Sequence, residues 1–207
     1  MAAKFIVTDL SYLLGSIPFS FLLTRMATDL DVRYLGSGNT ILEPRMHSGL
    51  LALVLGLVVV VLDAMKGALA VTLSAEIDNH EATGALSAMF VAVGHLYPVW
   101  LKFDGGKGVS TAGGGFAVVP PVSTLVGFVC FIGTVPVTRF VSLGSTMATF
   151  ALALMLAING ESANVLIAGF AVFALIVFRH RGNIGRLALG SERRLTSWMP
   201  VGGRNVI

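Results

Sequence analysis

Long apolar runs separated by short polar or glycine-rich segments make up most of this chain. A bilayer core about 30 Å thick is crossed by roughly 20 helical residues. Seven apolar runs near that length, bounded by charged or turn residues, can be recognised: 5–26, 50–74, 84–101, 110–119, 122–136, 141–158 and 163–178. The pattern predicts an all-α, polytopic membrane protein with seven transmembrane or half-membrane helices.

The fourth and fifth runs are too short to be comfortable spans. The Pro120-Pro121 pair between them removes two backbone donors and forces a break, so we expect a helical hairpin there. The first run follows Lys4 and could be mistaken for a signal peptide. Gly15 and Pro18 interrupt it and no small-residue cleavage site follows promptly, so we expect a retained helix.

Composition supports a membrane protein. Of 207 residues, 55% are hydrophobic and 12% are charged, against about 25% charged in soluble domains. This excludes disorder and nucleic-acid binding, and one cysteine excludes a disulfide scaffold. Without an internal repeat or a soluble segment, residues 1–207 are expected to form a single integral-membrane domain.

The charges predict the orientation. The segments 25–49, 102–109, 137–140 and 179–207 share one face and carry twelve Lys or Arg residues, whereas the other face carries Lys4 and four acidic residues. Positive charge marks the cytoplasmic side. The N-terminus is therefore expected outside and the C-terminus in the cytoplasm.

Polar, glycine-bearing segments lie on the basic face. The first is Gly36-Ser37-Gly38-Asn39, which is either an anion-binding backbone nest or ordinary loop sequence. The second surrounds Lys107 with Gly105, Gly106 and Gly108 just before a helix, an arrangement that suits phosphate but equally suits plain helix-turn packing. It is not a Walker A loop, because Gly108 follows the lysine.

The third polar segment follows the last helix, where Arg179, Arg181 and Arg186 form a positive cluster that could also contact anionic lipid headgroups. His180 and Asn183 lie three residues apart there. They share a face if the helix continues through them.

Two charges lie inside the second apolar run, 50–74: Asp63 and Lys66, also three residues apart. Each costs about 2.5–3.5 kcal/mol unpaired at a membrane-helix centre. We expect a structural pair, and a packing or hydrogen-bonding role for His95. The four histidines show no ligand spacing, so neither a metal nor another cofactor is expected.

Taken in order, several segments resemble the bacterial acyl-phosphate-dependent glycerol-3-phosphate acyltransferases, which are small integral-membrane enzymes. The matching blocks cover nearly the whole chain: 12–19, 36–39, 62–67, 94–99, 103 with 105–109 and 111, 141–143, and 179–181 with 183–184 and 186–187.

The resemblance implies a seven-helix fold with an outside N-terminus. It also implies transfer of an acyl group from acyl phosphate to the 1-hydroxyl of glycerol 3-phosphate, which yields 1-acylglycerol 3-phosphate and phosphate in phospholipid synthesis. The implied location is the bacterial inner membrane, with the active site on the cytoplasmic face. Implied partners are both substrates, membrane lipid and an enzyme that produces acyl phosphate.

The resemblance also implies roles for individual residues. The catalytic set is Ser37, Arg45, Lys107, His180 and Asn183, with either His180 or the substrate phosphate as the base. The substrate-binding set is Gly36, Gly38, Asn39, Gly105, Gly106, Gly108, Thr111 and Ser142, and Asp63, Lys66 and His95 are structural.

One segment departs from the family pattern. After Asn39 the family usually continues with Gly-Ala-Thr-Asn and an Arg about eight residues on, whereas here Thr40 to Pro44 precede Arg45, six residues past Asn39. The alternatives are a diverged, non-catalytic paralogue that binds lipid or phosphate esters, or an acyltransferase with another acceptor. A transporter ranks last, because no inverted repeat is evident.

Overall fold

The structure is a computed structural model that describes residues 2–28 and 49–195. Within these ranges the chain is helical. The helices are α1 (Ala2–Gly15), α2 (Phe19–Thr28), α3 (Gly49–Ile77), α4 (Glu81–Leu96), α5 (Val109–Phe116), α6 (Pro121–Thr138), α7 (Val141–Ile158), α8 (Ala163–Arg179) and α9 (Arg181–Ala188), with one 3-10 turn at Val99–Leu101. The predicted all-α class is confirmed.

Five helical stretches in the described ranges are long and apolar enough to cross a membrane, and α8 with α9 adds a sixth if that bent pair is one span. The chain is a multi-pass membrane protein. The first predicted segment consists of two helices, α1 and α2, because the chain breaks at Ser16, Ile17 and Pro18. The seven-segment count and the side on which each terminus lies stay predictions.

The two helices that flank Pro120 and Pro121 differ from the two short helices expected there. α5 is short, with eight residues, or about 12 Å at 1.5 Å per residue. α6 has 18 residues and is long enough to span. The fifth run was expected to begin at residue 122, whereas α6 already begins at Pro121. Pro121 fits there because it occupies the first turn of the helix, where its missing N–H costs nothing. The two helices also pack mainly on different neighbours, α5 on α3 and α4, and α6 on α7.

Small residues set how closely the helices approach. A Cβ on Gly67 of α3 would overlap the carbonyl oxygen of Thr111, and one on Gly114 of α5 would overlap that of Ala64. The same reciprocal fit joins α1 and α4, where Gly15 lies against Val91 and Gly94 against Tyr12. Such close packing holds membrane helices together without a hydrophobic driving force between them. It also fixes the position of α5, which opens the candidate site.

Replacing Gly67 by alanine should destabilise the protein, because the new Cβ would push α3 away from the backbone of α5. We expect a loss of about 1–3 kcal/mol, the usual cost of overpacking. Gly133→Ala in α6 is the matched control, since a Cβ there meets no atom within 4 Å. Thermal unfolding in detergent micelles measures both. Equal midpoints for the two variants would contradict the proposed close contact.

Candidate functional site

A buried ion cluster lies beneath the site. The Lys66 ammonium forms an ion pair with Asp63 Oδ1 at 2.8 Å, and it donates hydrogen bonds to the Ile17 carbonyl oxygen at 2.9 Å and to His95 Nδ1 at 3.0 Å. The ammonium is therefore held by groups of α3, the α1–α2 break and α4. The expected pairing of Asp63 and Lys66 is confirmed, and both side chains are buried.

His95 connects this cluster to the glycine loop 104–108. Thr111 Oγ1 lies 3.1 Å from His95 Nδ1, so the fully buried Thr111 has a partner inside the protein. Gly106 lies against the other side of the imidazole, where a Cβ would overlap His95 Nε2. The hydrogen-bonding role expected for His95 is confirmed, and it supports the loop. Substrate binding by Thr111 stays a prediction.

The backbone of the loop is anchored to the end of α4. The N–H of Gly105 donates to the Leu96 carbonyl at 3.2 Å, and the N–H of Gly106 donates to the His95 carbonyl at 3.2 Å. These two amides are therefore engaged inside the protein, because unpaired carbonyls at a helix C-terminus need donors. Phosphate binding by Gly105 and Gly106 stays a prediction. The amides of residues 108–111, in the first turn of α5, have no intrahelical acceptor and remain the candidates for anion binding.

Arg179, the last residue of α8, holds the loop from its other side. Its guanidinium donates to the Gly106 carbonyl at 3.3 Å and to the Gly105 carbonyl, and contacts the Asp104 carboxylate at 3.4 Å. It also lies over the Tyr97 ring, 5.6 Å from the centroid. The positive cluster expected after α8 thus includes one arginine, Arg179, whose side chain binds the glycine loop and not a ligand.

Lys107 projects from the middle of this loop and lines the cavity described below. Burial lowers the pKa of Lys107 to about 8, while the Glu192 carboxylate opposes the shift. At neutral pH the ammonium is therefore largely retained, but it is poorly solvated and available to pair with an anion.

His180 lies at a bend. The axes of α8 and α9 differ by 58° there, so the helix does not continue straight through His180 and Asn183. Both side chains are nevertheless buried. His180 Nδ1 lies 2.8 Å from the Ile176 carbonyl oxygen. Since a carbonyl only accepts, Nδ1 carries the proton and Nε2 the free lone pair of the neutral ring.

The protonation state of His180 follows from its surroundings. Burial lowers the pKa of His180 to about 4, and the charge of Lys107 acts in the same direction. The ring is neutral at pH 7. It can accept a hydrogen bond at Nε2, but it holds a transferred proton poorly.

A second polar cluster centres on Glu192. Its Oε1 accepts from Ser142 Oγ at 2.7 Å and from Asn183 Nδ2 at 2.6 Å, and its Oε2 accepts from Arg186 Nε at 2.8 Å. Ser142 and Asn183 were both expected at the site, and the structure brings them together. The carboxylate between them was not expected.

Some of these groups line the polar end of a cavity of about 1050 Å³. Lys107, Gly108, Ser142 and His180 line that end, together with Asp63 and His95. Further in, the walls are apolar and include Phe128, Phe131, Leu152, Val172 and Phe173 from α6, α7 and α8. The cavity can therefore hold a molecule with an anionic head and a long apolar chain.

Five expected residues lie outside the described part of the chain: Gly36, Ser37, Gly38, Asn39 and Arg45. Their roles stay predictions. Sequence reasoning missed Glu192 and the loop contacts of Arg179. A signal for Glu192 was present, because it is the only acidic residue in the arginine-rich segment 179–207.

The family model described as glycerol-3-phosphate acyltransferase matches residues 5–190. The chain belongs to this family. A glycerol-3-phosphate acyltransferase of Desulforamulus reducens is 36% identical over 185 residues, which cover 89% of this chain and 92% of the relative. One from Myxococcus xanthus is 41% identical over 186 residues, with 89% and 96% covered.

Solved structures agree with the family. A crystal structure of PlsY, an integral membrane glycerol 3-phosphate acyltransferase in its glycerol 3-phosphate form, superposes with a TM-score of 0.82 and 33% identity. It covers 92% of this chain and 94% of that chain. The lysophosphatidic acid form of PlsY gives a TM-score of 0.80 and 31% identity. The resemblance noted in the sequence is thereby confirmed.

Replacing Lys66 by methionine should destabilise the family fold by about 3–5 kcal/mol, because it leaves the Asp63 carboxylate buried without its cation. The double variant Asp63→Asn with Lys66→Met should recover most of this loss, since no unpaired charge remains. Met65→Ala, at an exposed neighbouring position, is the control. Thermal unfolding in micelles compares the three, and a double variant no more stable than the single one would contradict the ion-pair account.

Proposed function

We propose that this chain transfers an acyl group from acyl phosphate to the 1-hydroxyl of glycerol 3-phosphate, giving 1-acylglycerol 3-phosphate and inorganic phosphate. The observation that carries the proposal is the cavity: a polar end with the Lys107 ammonium and the neutral His180 ring opens into an apolar interior within the membrane domain. An acyl phosphate has the same division, with charge at one end and hydrocarbon at the other. Membership of the family and similarity to PlsY support the assignment.

Lys107 and the first turn of α5 hold phosphate in this proposal. An ammonium and backbone amides at a helix N-terminus both favour negative charge. Hydrogen bonds between a charged donor and phosphate oxygens are roughly twice as strong as neutral ones. Gly108, with φ of 78°, lets the chain turn from Lys107 into α5, and a residue with a Cβ would be strained there.

The reaction needs positioning and charge stabilisation more than acid catalysis. The 1-hydroxyl oxygen forms a bond to the acyl carbon, and the bond from that carbon to the phosphate oxygen breaks. Phosphate leaves with the bonding electron pair and is a good leaving group. Lys107 then stabilises the charge that develops on the departing phosphate, and the walls of the cavity keep the two reactants together.

His180 orients the attacking hydroxyl group by accepting a hydrogen bond from it, but it is not the base that finally takes up the hydroxyl proton. The Nε2 lone pair of His180 is free to accept a hydrogen bond from the attacking hydroxyl group, because the ring proton is on Nδ1, which donates to the Ile176 carbonyl oxygen. With a pKa of about 4, the ring is too weak a base to retain the proton at pH 7. A phosphate group has a pKa near 6, so we assign the final proton to substrate or product phosphate.

Other parts of the proposal rest on the family. Ser37 and Arg45 act at the reacting groups, beside Gly36, Gly38 and Asn39, and Asn183 completes the pocket. The whole chain acts as one domain in the bacterial inner membrane, with its site on the cytoplasmic face. Acyl phosphate reaches it from an enzyme that makes this donor.

Purified protein in nanodiscs should convert palmitoyl phosphate and glycerol 3-phosphate into lysophosphatidate and free phosphate in equal amounts. Lys107→Ala should lower kcat by about 10²–10³-fold, the usual loss for one transition-state donor. Palmitoyl coenzyme A should not replace palmitoyl phosphate. Binding of both substrates without product would favour a non-catalytic paralogue, and product with another phosphorylated alcohol alone would favour a different acceptor.

The pH dependence should follow Lys107. Its pKa is lowered to about 8, and only the protonated form binds phosphate well, so kcat/KM for palmitoyl phosphate should fall as pH rises through about 8. The kcat profile should fall at higher pH, because bound phosphate raises that pKa. Lys107→Arg should abolish this alkaline fall, since guanidinium stays charged. An unchanged profile in the arginine variant would show that another group titrates.

A further inference from the structure

Glu192 is held in place by contacts on both sides of it. The N–H of Ser191 donates to the Arg186 carbonyl at 2.8 Å, and the N–H of Leu195 donates to the Arg139 carbonyl at 2.7 Å. The guanidinium of Arg194 lies over the Phe140 ring, 5.6 Å from the centroid. The segment 191–195 is thus attached to α9 on one side and to the α6–α7 connection on the other. The Glu192 side chain is 6% exposed.

The carboxylate of Glu192 is ionised. Burial alone would raise the pKa of Glu192, but hydrogen bonds from Asn183, Ser142 and Arg186, together with the Arg186 charge, hold it below its ordinary value. An ionised carboxylate only accepts hydrogen bonds. Every group that contacts it must therefore donate.

This requirement determines which hydrogen-bonding atoms of two residues, Ser142 and Asn183, face Glu192 and which face away from it. Ser142 has one hydroxyl proton and gives it to Glu192 Oε1, so its oxygen can only accept from anything in the cavity. Asn183 gives an Nδ2–H to the same oxygen, which settles which end of its amide faces Glu192 and leaves its Oδ1 acceptor on the other side.

Acceptors of this kind match the hydroxyl groups of a substrate and not its phosphate. At neutral pH a phosphate monoester offers mainly acceptor oxygens, which would repel the Ser142 lone pairs. A glycerol hydroxyl offers a donor. Within the substrate-binding role expected for Ser142, its lone pairs suit the glycerol part, and phosphate goes to Lys107.

We propose that Glu192 is a positioning residue for the acceptor substrate: it holds Ser142, which lines the cavity, so that the Ser142 lone pair receives the 2-hydroxyl group of glycerol 3-phosphate. This inference rests on the proposed function for the identity of the acceptor. Glu192 itself does not touch the substrate. Its effect passes through the Ser142 hydroxyl that it orients.

The test compares two variants of Glu192. Glu192→Ala removes the acceptor, so Ser142 and Asn183 can turn. Glu192→Gln can keep its carbonyl oxygen towards them and loses only the charge pair with Arg186, which is partly exposed and can reach solvent. We expect kcat/KM for glycerol 3-phosphate to fall about 10-fold or more in the alanine variant, with KM for palmitoyl phosphate unchanged, and to be largely restored in the glutamine variant. Glu76→Ala, exposed on α3, is the control.

Acceptor selectivity separates positioning from a loss of folding. 3-Hydroxypropyl phosphate lacks the 2-hydroxyl of glycerol 3-phosphate. The native protein should prefer glycerol 3-phosphate, and Glu192→Ala should lose most of that preference. A variant that merely unfolds would lose activity equally with both acceptors. Equal losses, or a glutamine variant as impaired as the alanine one, would overturn the proposal.

Binding measurements separate this inference from the proposed reaction. Isothermal titration with each phosphate ester gives Kd for native protein and Glu192→Ala. If the native protein prefers glycerol 3-phosphate without turnover and the variant loses the preference, the reaction is wrong but the positioning role holds. Tighter binding of glycerol 3-phosphate to the variant would show that Glu192 competes with phosphate, which overturns the proposal. No binding and no turnover by the native protein would overturn both.

Discussion

The rest of the site depends on how one buried ammonium group, that of Lys66, finds partners for its charge and its hydrogen-bond donors. Lys66 lies in a membrane helix, where an unpaired charge costs about 2.5–3.5 kcal/mol. It pairs with the Asp63 carboxylate and donates hydrogen bonds to groups on two other parts of the chain. One of them, the Ile17 carbonyl, lies at the break before Pro18, which cannot donate an amide to continue the helix. Breaking α1 from α2 therefore supplies an acceptor for the charge in α3. The same ammonium holds His95 in α4.

From His95 the constraint passes to the surface of the cavity. The imidazole lies against Gly106, and the last carbonyls of α4 take the amides of Gly105 and Gly106. Arg179 holds the carbonyls of the same two glycines. With both sides of its peptide groups engaged, the loop has little freedom, and Lys107 is held at the start of α5. A flexible glycine sequence thus becomes a rigid support, because its partners lie on α4 and α8.

The sequence predicts the features that are local or set by the membrane. Apolar runs gave the helices, the Pro120-Pro121 pair gave the break between α5 and α6, and the cost of isolated charges gave the Asp63–Lys66 pair. Features that need distant residues were not predictable. Glu192 is fifty positions from Ser142, and no local pattern indicates that contact. The use of the Gly105 and Gly106 amides similarly depends on how the chain turns after Tyr97.

The polarity of the site follows from where its donors are already engaged. On one side of the cavity the first turn of α5 and Lys107 offer donors and positive charge, which suits phosphate. Around Glu192, the hydroxyl proton of Ser142 and an amide proton of Asn183 are taken by an internal carboxylate. Two polar surfaces of opposite hydrogen-bonding character therefore face one molecule. A ligand with phosphate at one end and hydroxyl groups at the other satisfies both surfaces in one orientation, and reversing it would place acceptor against acceptor. That asymmetry is a physical basis for choosing which hydroxyl meets the acyl group.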